Sequence, residues 1–188
     1  MRICMSLLFT LFLGLAGQRS VAQFVSDTLN PAAPPQLAAF SFLIGHWTGH
    51  VNAHQVDGTP INLVAEWSGH YMLDGYAIAD HFSMRDTTGQ LVMDGMNIRS
   101  FNSQTGAWTM RWLEALTSTC LVLGPSELGG VEIRPGSITY KIQYTGAEIH
   151  RITYSNITTA HFDWIADISR DNGRTWDEGV MTISADRK

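Results

Sequence analysis

From residue 47 onward, apolar and polar positions alternate with a period of two, and short turn signals cut the alternation into segments. The signals are Asp57-Gly58-Thr59-Pro60, Asp74-Gly75, Thr88-Gly89, Thr105-Gly106, the stretch 125–130, Pro135-Gly136, Thr145-Gly146 and Asp171-Asn172-Gly173. Period two is the signature of strands, and Gly or Asn supplies the positive φ of tight hairpins. The pattern predicts strands over 47–54, 62–72, 76–84, 91–102 and 107–113, followed by 119–123, 131–134, 137–144, 148–154, 161–169 and 176–183. Ahead of them, Pro34-Pro35 opens a short helix over 36–43, where Leu37, Phe40 and Leu43 recur at helical spacing until Gly45 ends it. Consecutive strands joined by tight turns form a meander, and about ten of them close into an all-β, antiparallel up-and-down barrel that removes exposed edges. A β-sandwich is the alternative.

The alternation also predicts an interior, because one face of each strand must point inward. In the first strand Trp47, Gly49, Val51 and Ala53 oppose Thr48, His50, Asn52 and His54, so the Trp47 face is the inner one. In the second strand Ala65, Trp67, Gly69 and Tyr71 oppose Val64, Glu66, Ser68 and His70, which places Glu66 outside. In the fifth, Trp108, Met110 and Trp112 form an aromatic face. The third strand puts Asp80 among Tyr76, Ile78, Phe82 and Met84, and a carboxylate in apolar surroundings needs a partner. Asn97 and Arg99 of the fourth strand are candidates, sharing a face with Met93, Gly95 and Phe101. The other face, Val92, Met96 and Ile98, is equally apolar, and a bulge near Gly95 would change which points in. With Asn97 and Arg99 inward, Asp80, Asn97, Arg99, Trp112 and Glu114, together with Trp67 and Tyr71, form a polar and aromatic lining suited to a small apolar or aromatic ligand. The competing reading is a structural ion pair with stacked aromatics filling a narrow barrel.

The N-terminus changes the compartment. Met1-Arg2, the apolar run 5–16 and the small-residue site Ser20-Val21-Ala22 form the order of a secretory signal peptide over 1–22, with an apolar run too short to span a bilayer. Cleavage near Ala22 predicts a periplasmic or secreted mature chain, with a proline-bearing tether over 23–35 and one barrel domain over 36–188. Cys4 lies ahead of the apolar run and makes no lipoprotein box. Loss of Arg2 and Arg19 takes the 12 basic residues to ten against 17 acidic ones, a net charge of about −7. That balance, without any Lys/Arg cluster, argues against nucleic acid and against membrane insertion or anionic surfaces as partners of the mature chain. The oligomeric state is left open.

Other chemistry is thin. Cys120, the one cysteine left after cleavage, sits in the apolar run Thr119-Cys120-Leu121 and is expected to be buried, with no disulfide possible. His46, His50, His54 and His70 suggest a metal, but on a strand the Cα atoms of His50 and His54 lie roughly 13 Å apart, too far for one zinc ion, and no metal is predicted. No G-x-S-x-G elbow, G-x-G-x-x-G turn or phosphate loop occurs.

The segment Phe42-Leu43-Ile44-Gly45-His46-Trp47-Thr48-Gly49, a G-x-W after a short helix, resembles the entry to the first strand of lipocalin-like (calycin) barrels. Together with Trp67-Ser68, Asp74-Gly75 and the closing stretch 168–176 (Ile-Ser-Arg-Asp-Asn-Gly-Arg-Thr-Trp), it resembles the bacterial domain of unknown function 1579 family over residues 36–185. The resemblance implies a calycin-type barrel and no particular activity. Nitrobindin-like haem barrels are more distantly similar. Their G-x-W-x-G-x-G is matched at Gly45, Trp47 and Gly49 but has Val51 in place of the last glycine, and their late haem-binding histidine would correspond to His161 or else His150. No cofactor is predicted, with haem through His161 the exception to examine. Three functions follow: a small-molecule binding or carrier protein, ranked first; an isomerase, cyclase or hydratase using Asp80 or Glu114 with Arg99; and a packed interaction module.

Overall fold

The computed structural model describes residues 25–26, 28–54 and 57–188. The expected signal peptide over 1–22, with Cys4 and its cleavage site, lies outside the described residues. The strands are β1 (Val25–Ser26), β2 (Gly45–His54), β3 (Pro60–Met72), β4 (Ala77–Asp86), β5 (Leu91–Asn102), β6 (Ala107–Glu114), β7 (Thr119–Val122), β8 (Val131–Arg134), β9 (Ser137–Thr145), β10 (Glu148–Ser155), β11 (His161–Ser169) and β12 (Asp177–Arg187). Apart from β1, which pairs with β3, they form one curled antiparallel sheet in the order β7-β6-β5-β4-β3-β2-β12-β11-β10-β9-β8. The expected all-β up-and-down architecture stands, with eleven strands along this path. Pairing of β12 with β2 joins the late strands to the early ones, with Ile183 opposite Val51. The ends of the sheet come together at a seam where β7 runs against β9, and just past β7 the Gly124 N–H donates to the Lys141 carbonyl at 2.8 Å. Gly124 (φ +60°) is needed there, since a Cβ would stand 2.8 Å from Val131 Cγ2. No helix among the described residues is long and apolar enough to cross a membrane.

One end of the barrel is plugged. Pro35–Leu43 forms a nine-residue 3-10 helix that begins at a proline, whose fixed φ suits a first helical position. Leu37, Phe40 and Leu43 are spaced by three, which in a three-residue turn stacks them on one side, and all three are fully buried. The end of the helix is clamped from the C-terminus. Arg187 donates to the Ile44 carbonyl at 2.6 Å and to the Phe42 carbonyl at 3.2 Å, while its guanidinium lies 4.2 Å over the Trp47 ring. Trp47 itself donates Nε1 to the Leu43 carbonyl at 3.3 Å. The stretch expected as a tether is fastened to the same wall. Val25 and Ser26 pair with Met72 and Tyr71, and Asn30 Nδ2 donates to the Asp74 carbonyl at 2.9 Å.

The inner faces follow the alternation. Trp47, Val51, Ala65, Trp67, Tyr71, Ile78, Phe82, Met84 and Met110 are buried, whereas Glu66 is exposed and pairs with Lys188 at 2.5 Å. The ambiguity of the fourth predicted strand resolves with Asn97 and Arg99 inside and Val92 and Ile98 exposed. No bulge interrupts the ladder at Gly95; its register shift falls between Met84 and Arg85. Gly95 serves another purpose, since a Cβ there would meet the Trp112 ring at 2.4 Å. Tyr76, expected inside, is 42% exposed because the β3–β4 turn carries it past the end of the ladder. Cys120 is a second correction: it is exposed, because β7 is an edge strand whose Cys120 shares the outer face with its partner Leu113.

The plug approaches the wall most closely at Gly69, where a Cβ would stand 2.0 Å from the Leu43 carbonyl oxygen. Gly69→Ala should therefore lower stability by about 1–3 kcal/mol, the usual range for overpacking. Urea unfolding followed by circular dichroism measures it, and an unchanged midpoint would mean that the helix is not seated on β3 as described.

Candidate functional site

The site is organised around a buried ion pair on neighbouring strands. Asp80 stands opposite Asn97 in the β4–β5 ladder, and Arg99 opposite Ile78, so all three point inward. Asp80 and Arg99 are both 0% exposed. A lone charge there would cost several kcal/mol, so each must be answered. One Asp80 oxygen accepts from Arg99 Nη1, and the other accepts from Asn97 Nδ2 at 2.8 Å. Arg99 Nη2 donates to the Tyr154 hydroxyl at 3.5 Å, and the guanidinium stands 5.0 Å from the centre of the Phe40 ring on the plug. Arg99 Nε has no hydrogen-bond partner among the described residues. Burial pulls the Arg99 pKa down, but the Asp80 carboxylate and the Tyr154 and Tyr140 oxygens outweigh it and hold the proton on more firmly than usual. Burial raises the Tyr140 phenol, against the opposing pull of Arg99, and pushes the Tyr154 phenol well above its ordinary value.

On the other side of this network, away from the plug, lies a cavity of about 180 Å³. Asn97, Tyr140 and Tyr154 supply its polar lining; Trp67, Phe82, Trp112 and Trp164 supply its aromatic walls. The walls brace one another, with Trp67 4.4 Å from Phe82 and Phe82 6.1 Å from Trp112, centre to centre. Toward the β9–β10 turn the lining includes Tyr144 and His150, whose rings stack nearly parallel at 4.6 Å. His150 Nε2 is 2.7 Å from Glu148 Oε1. No Asp, Glu, Lys or Arg side chain lines this cavity. A larger groove, about 530 Å³, lies beside the seam, lined by the segment from Val122 to Val131 with Trp108 and Arg111 of β6.

Of the residues singled out from sequence, Trp67, Asn97 and Trp112 line the cavity. Asp80 and Arg99 lie behind it and hold Asn97 and Tyr154 in place. Tyr71 is buried next to β1, paired with Ser26 and Ile78, and does not reach the cavity. Glu114 is not part of the group either. Its carboxylate accepts from the Leu116 N–H at 3.2 Å and the Asp94 N–H at 3.4 Å, which ties down the β6–β7 turn. Neither carboxylate considered as a catalytic base therefore faces the cavity. Tyr140, Tyr154 and Trp164 were missed, although the runs Ile138, Tyr140, Ile142 and Phe162, Trp164, Ala166 carry the same period-two signal as the early strands.

His161 lies on the outer face, opposite the buried Phe162, with Nδ1 2.8 Å from Asp186 and Nε2 3.2 Å from Asp163. Hydrogen bonding to Asp186, helped by Asp163, raises its pKa against slight burial. Both nitrogens are engaged away from the cavity, so His161 does not fit as a haem ligand; His150 does line the cavity, but its Nε2 faces Glu148 at 2.7 Å and about 180 Å³ falls below the roughly 300–1,000 Å³ of ordinary ligand sites. His46, His50 and His54 are exposed, and no group of three metal-ligating side chains occurs among the described residues.

No family model matches the chain, and no curated protein matches it. Among solved structures it is similar to Rv2717c from M. tuberculosis, at 13% identity, covering 83% of this chain and 99% of that one with a TM-score of 0.57. Weaker likenesses are the S-type phycobiliprotein lyase CPES from Guillardia theta (10% identity, 78% and 87% covered, TM-score 0.47) and EF1p2_mFAP2b bound to DFHBI (12%, 80% and 97%, 0.40). At such identity the likeness is one of fold alone, and the fold is a lipocalin-like barrel.

The ion pair should behave as a unit. Asp80→Asn and Arg99→Met, each leaving a partner charge buried and unanswered, should each cost about 3–5 kcal/mol in urea unfolding. The double variant should cost clearly less than the sum of the two. Strict additivity would show that the pair is not coupled.

Proposed function

We propose that the protein is an exported binding or carrier protein that holds one small, largely apolar aromatic molecule inside its barrel. The cavity carries this reading: about 180 Å³, aromatic-walled, without charged side chains and beside an already satisfied ion pair. Engineered apolar cavities of about 150 Å³ take up benzene, so this volume suits a guest of one or two rings rather than a lipid. Of the contacts assigned from sequence, Trp67, Asn97 and Trp112 line this cavity, and Tyr140, Tyr154 and Trp164 join them. Membership of the domain of unknown function 1579 family belongs with this reading and adds no activity to it. An acid–base enzyme is less well supported, because Asp80 and Glu114 turn their oxygens to protein donors.

Indole added to the protein should give a saturable heat of binding in calorimetric titration. Ala166, 6% exposed on the cavity wall between Ile152 and Met181, offers a way to fill the space. Ala166→Phe should weaken indole binding by about tenfold or more, equal to some 1.4 kcal/mol, without loss of the folded circular dichroism signal. Indole binding that survives the filled cavity would place the guest elsewhere.

Export rests on the order of charge, apolar run and small-residue site over 1–22. Expressed with its native N-terminus in a Gram-negative host, the protein should be recovered from the periplasm with an N-terminus at Gln23. An intact mass that retains residues 1–22 would overturn it.

A further inference from the structure

The polar lining of the cavity has a direction. Asp80 is a carboxylate held by Arg99, so its second oxygen can only accept, and Asn97 must turn its NH₂ toward it. That fixes the amide: Asn97 Oδ1 points the other way, and no described residue donates to it. Asn97 is one of the residues that line the cavity, so this oxygen is an acceptor available to a guest.

The tyrosines have the opposite polarity. A guanidinium only donates, so the Tyr154 oxygen accepts from Arg99 Nη2 at 3.5 Å and its O–H hydrogen is turned elsewhere. Tyr140, whose ring is 6.4 Å from that of Tyr154, stands in the same field and also lines the cavity. The Tyr154 hydrogen is taken up by the Tyr140 oxygen, which also faces Arg99, so the phenol hydrogen left for a guest beside the Asn97 carbonyl acceptor is that of Tyr140. The charge of Arg99 is already cancelled by Asp80, and no other fixed charge lines the wall.

Resting on the reading of the cavity as a binding site, we infer that the guest is a neutral hydroxyarene of one or two rings. Its hydroxyl oxygen accepts from a tyrosine O–H and its hydroxyl hydrogen goes to Asn97 Oδ1, while the ring lies among Trp67, Phe82 and Trp112. A hydroxyl is both donor and acceptor, which the paired groups require. An ether leaves the Asn97 oxygen unanswered. A carboxylate or phenolate sets an anionic oxygen against that oxygen and brings a net charge into a cavity whose one ionisable base, His150, stands at the far β9–β10 end with Nε2 already 2.7 Å from Glu148. The protein's own phenols agree, since burial holds both Tyr140 and Tyr154 in the neutral form.

The test is calorimetric titration of the full-length mature chain with toluene, anisole, phenol and benzoate at neutral pH, and with 4-nitrophenol across the pH range of its ionisation. Toluene should bind measurably and phenol about tenfold or more tighter, with anisole near toluene and benzoate not detected. Affinity for 4-nitrophenol should fall as it ionises. Asn97→Leu should bring phenol down to the level of toluene while toluene still binds, which reports an intact cavity. Tyr140→Phe, which removes only a hydroxyl, makes the same test if Asn97→Leu does not fold. Toluene and anisole binding as well as phenol, tight benzoate binding, or a phenol preference that survives both substitutions would overturn the hydroxyarene assignment and leave the binding reading in place. Absence of binding by every probe would overturn the binding reading itself.

Discussion

Two opposite charges inside an apolar barrel are the constraint on which the structure turns. Asp80 and Arg99 must find each other, because neither has access to water. Their meeting fixes the β4–β5 register: a one-residue slip of β5 would bring Ile98 inward in place of Arg99 and leave Asp80 buried without a partner. The pair also reaches beyond its own hairpin. Arg99 lies over Phe40 of the plug on one side and touches Tyr154 of β10 on the other, so helix, early strands and late strands meet at one guanidinium. Breaking it disturbs three elements that are remote in the chain.

The same pair gives the interior its polarity. By neutralising each other, Asp80 and Arg99 leave the adjoining space uncharged, yet they orient the neighbours they touch. Asn97 is turned by the carboxylate and Tyr154 by the guanidinium, and a cavity whose walls are otherwise aromatic acquires a few directed groups. Ligand sites in general combine an apolar lining with a small number of placed polar groups. Here the placing is done from behind by residues a guest does not touch.

Much of the fold was legible because alternation is a direct imprint of burial. Trp47 and Val51, Trp67 and Tyr71, and Asp80 among Ile78, Phe82 and Met84 all declared their side through their neighbours. The fourth predicted strand did not, since Val92 and Ile98 are exposed apolar residues, and only the partner strand decides between two such faces. Cys120 misled for a related reason: an apolar run reads as core, but β7 is an edge strand with solvent on its outer side. Glu114 was drawn into the site by its face, whereas its position beside a turn gives the carboxylate backbone donors to hold. The helix was found, but its i, i+3 spacing signified a tighter 3-10 turn. Alternation marks the inner face of the late strands as clearly as that of the early ones, but only closure of the barrel brings Tyr140 and Tyr154 to the same cavity as Asn97, a separation in sequence that no local pattern spans.

The β2–β12 pairing has a consequence in time. Most neighbours in this sheet are consecutive in the chain and can zip together as hairpins, but β2 waits for the last strand, and Arg187 for the helix it clamps. Contacts of such sequence separation must overcome nearly the whole loop entropy before they stabilise anything, which makes them slow. Until the final strand arrives, β2 has one unpaired edge, Trp47 lacks its guanidinium cover and the plug has no latch. Closure of the interior therefore depends on the arrival of β12, the strand most remote in sequence from the partner it must meet.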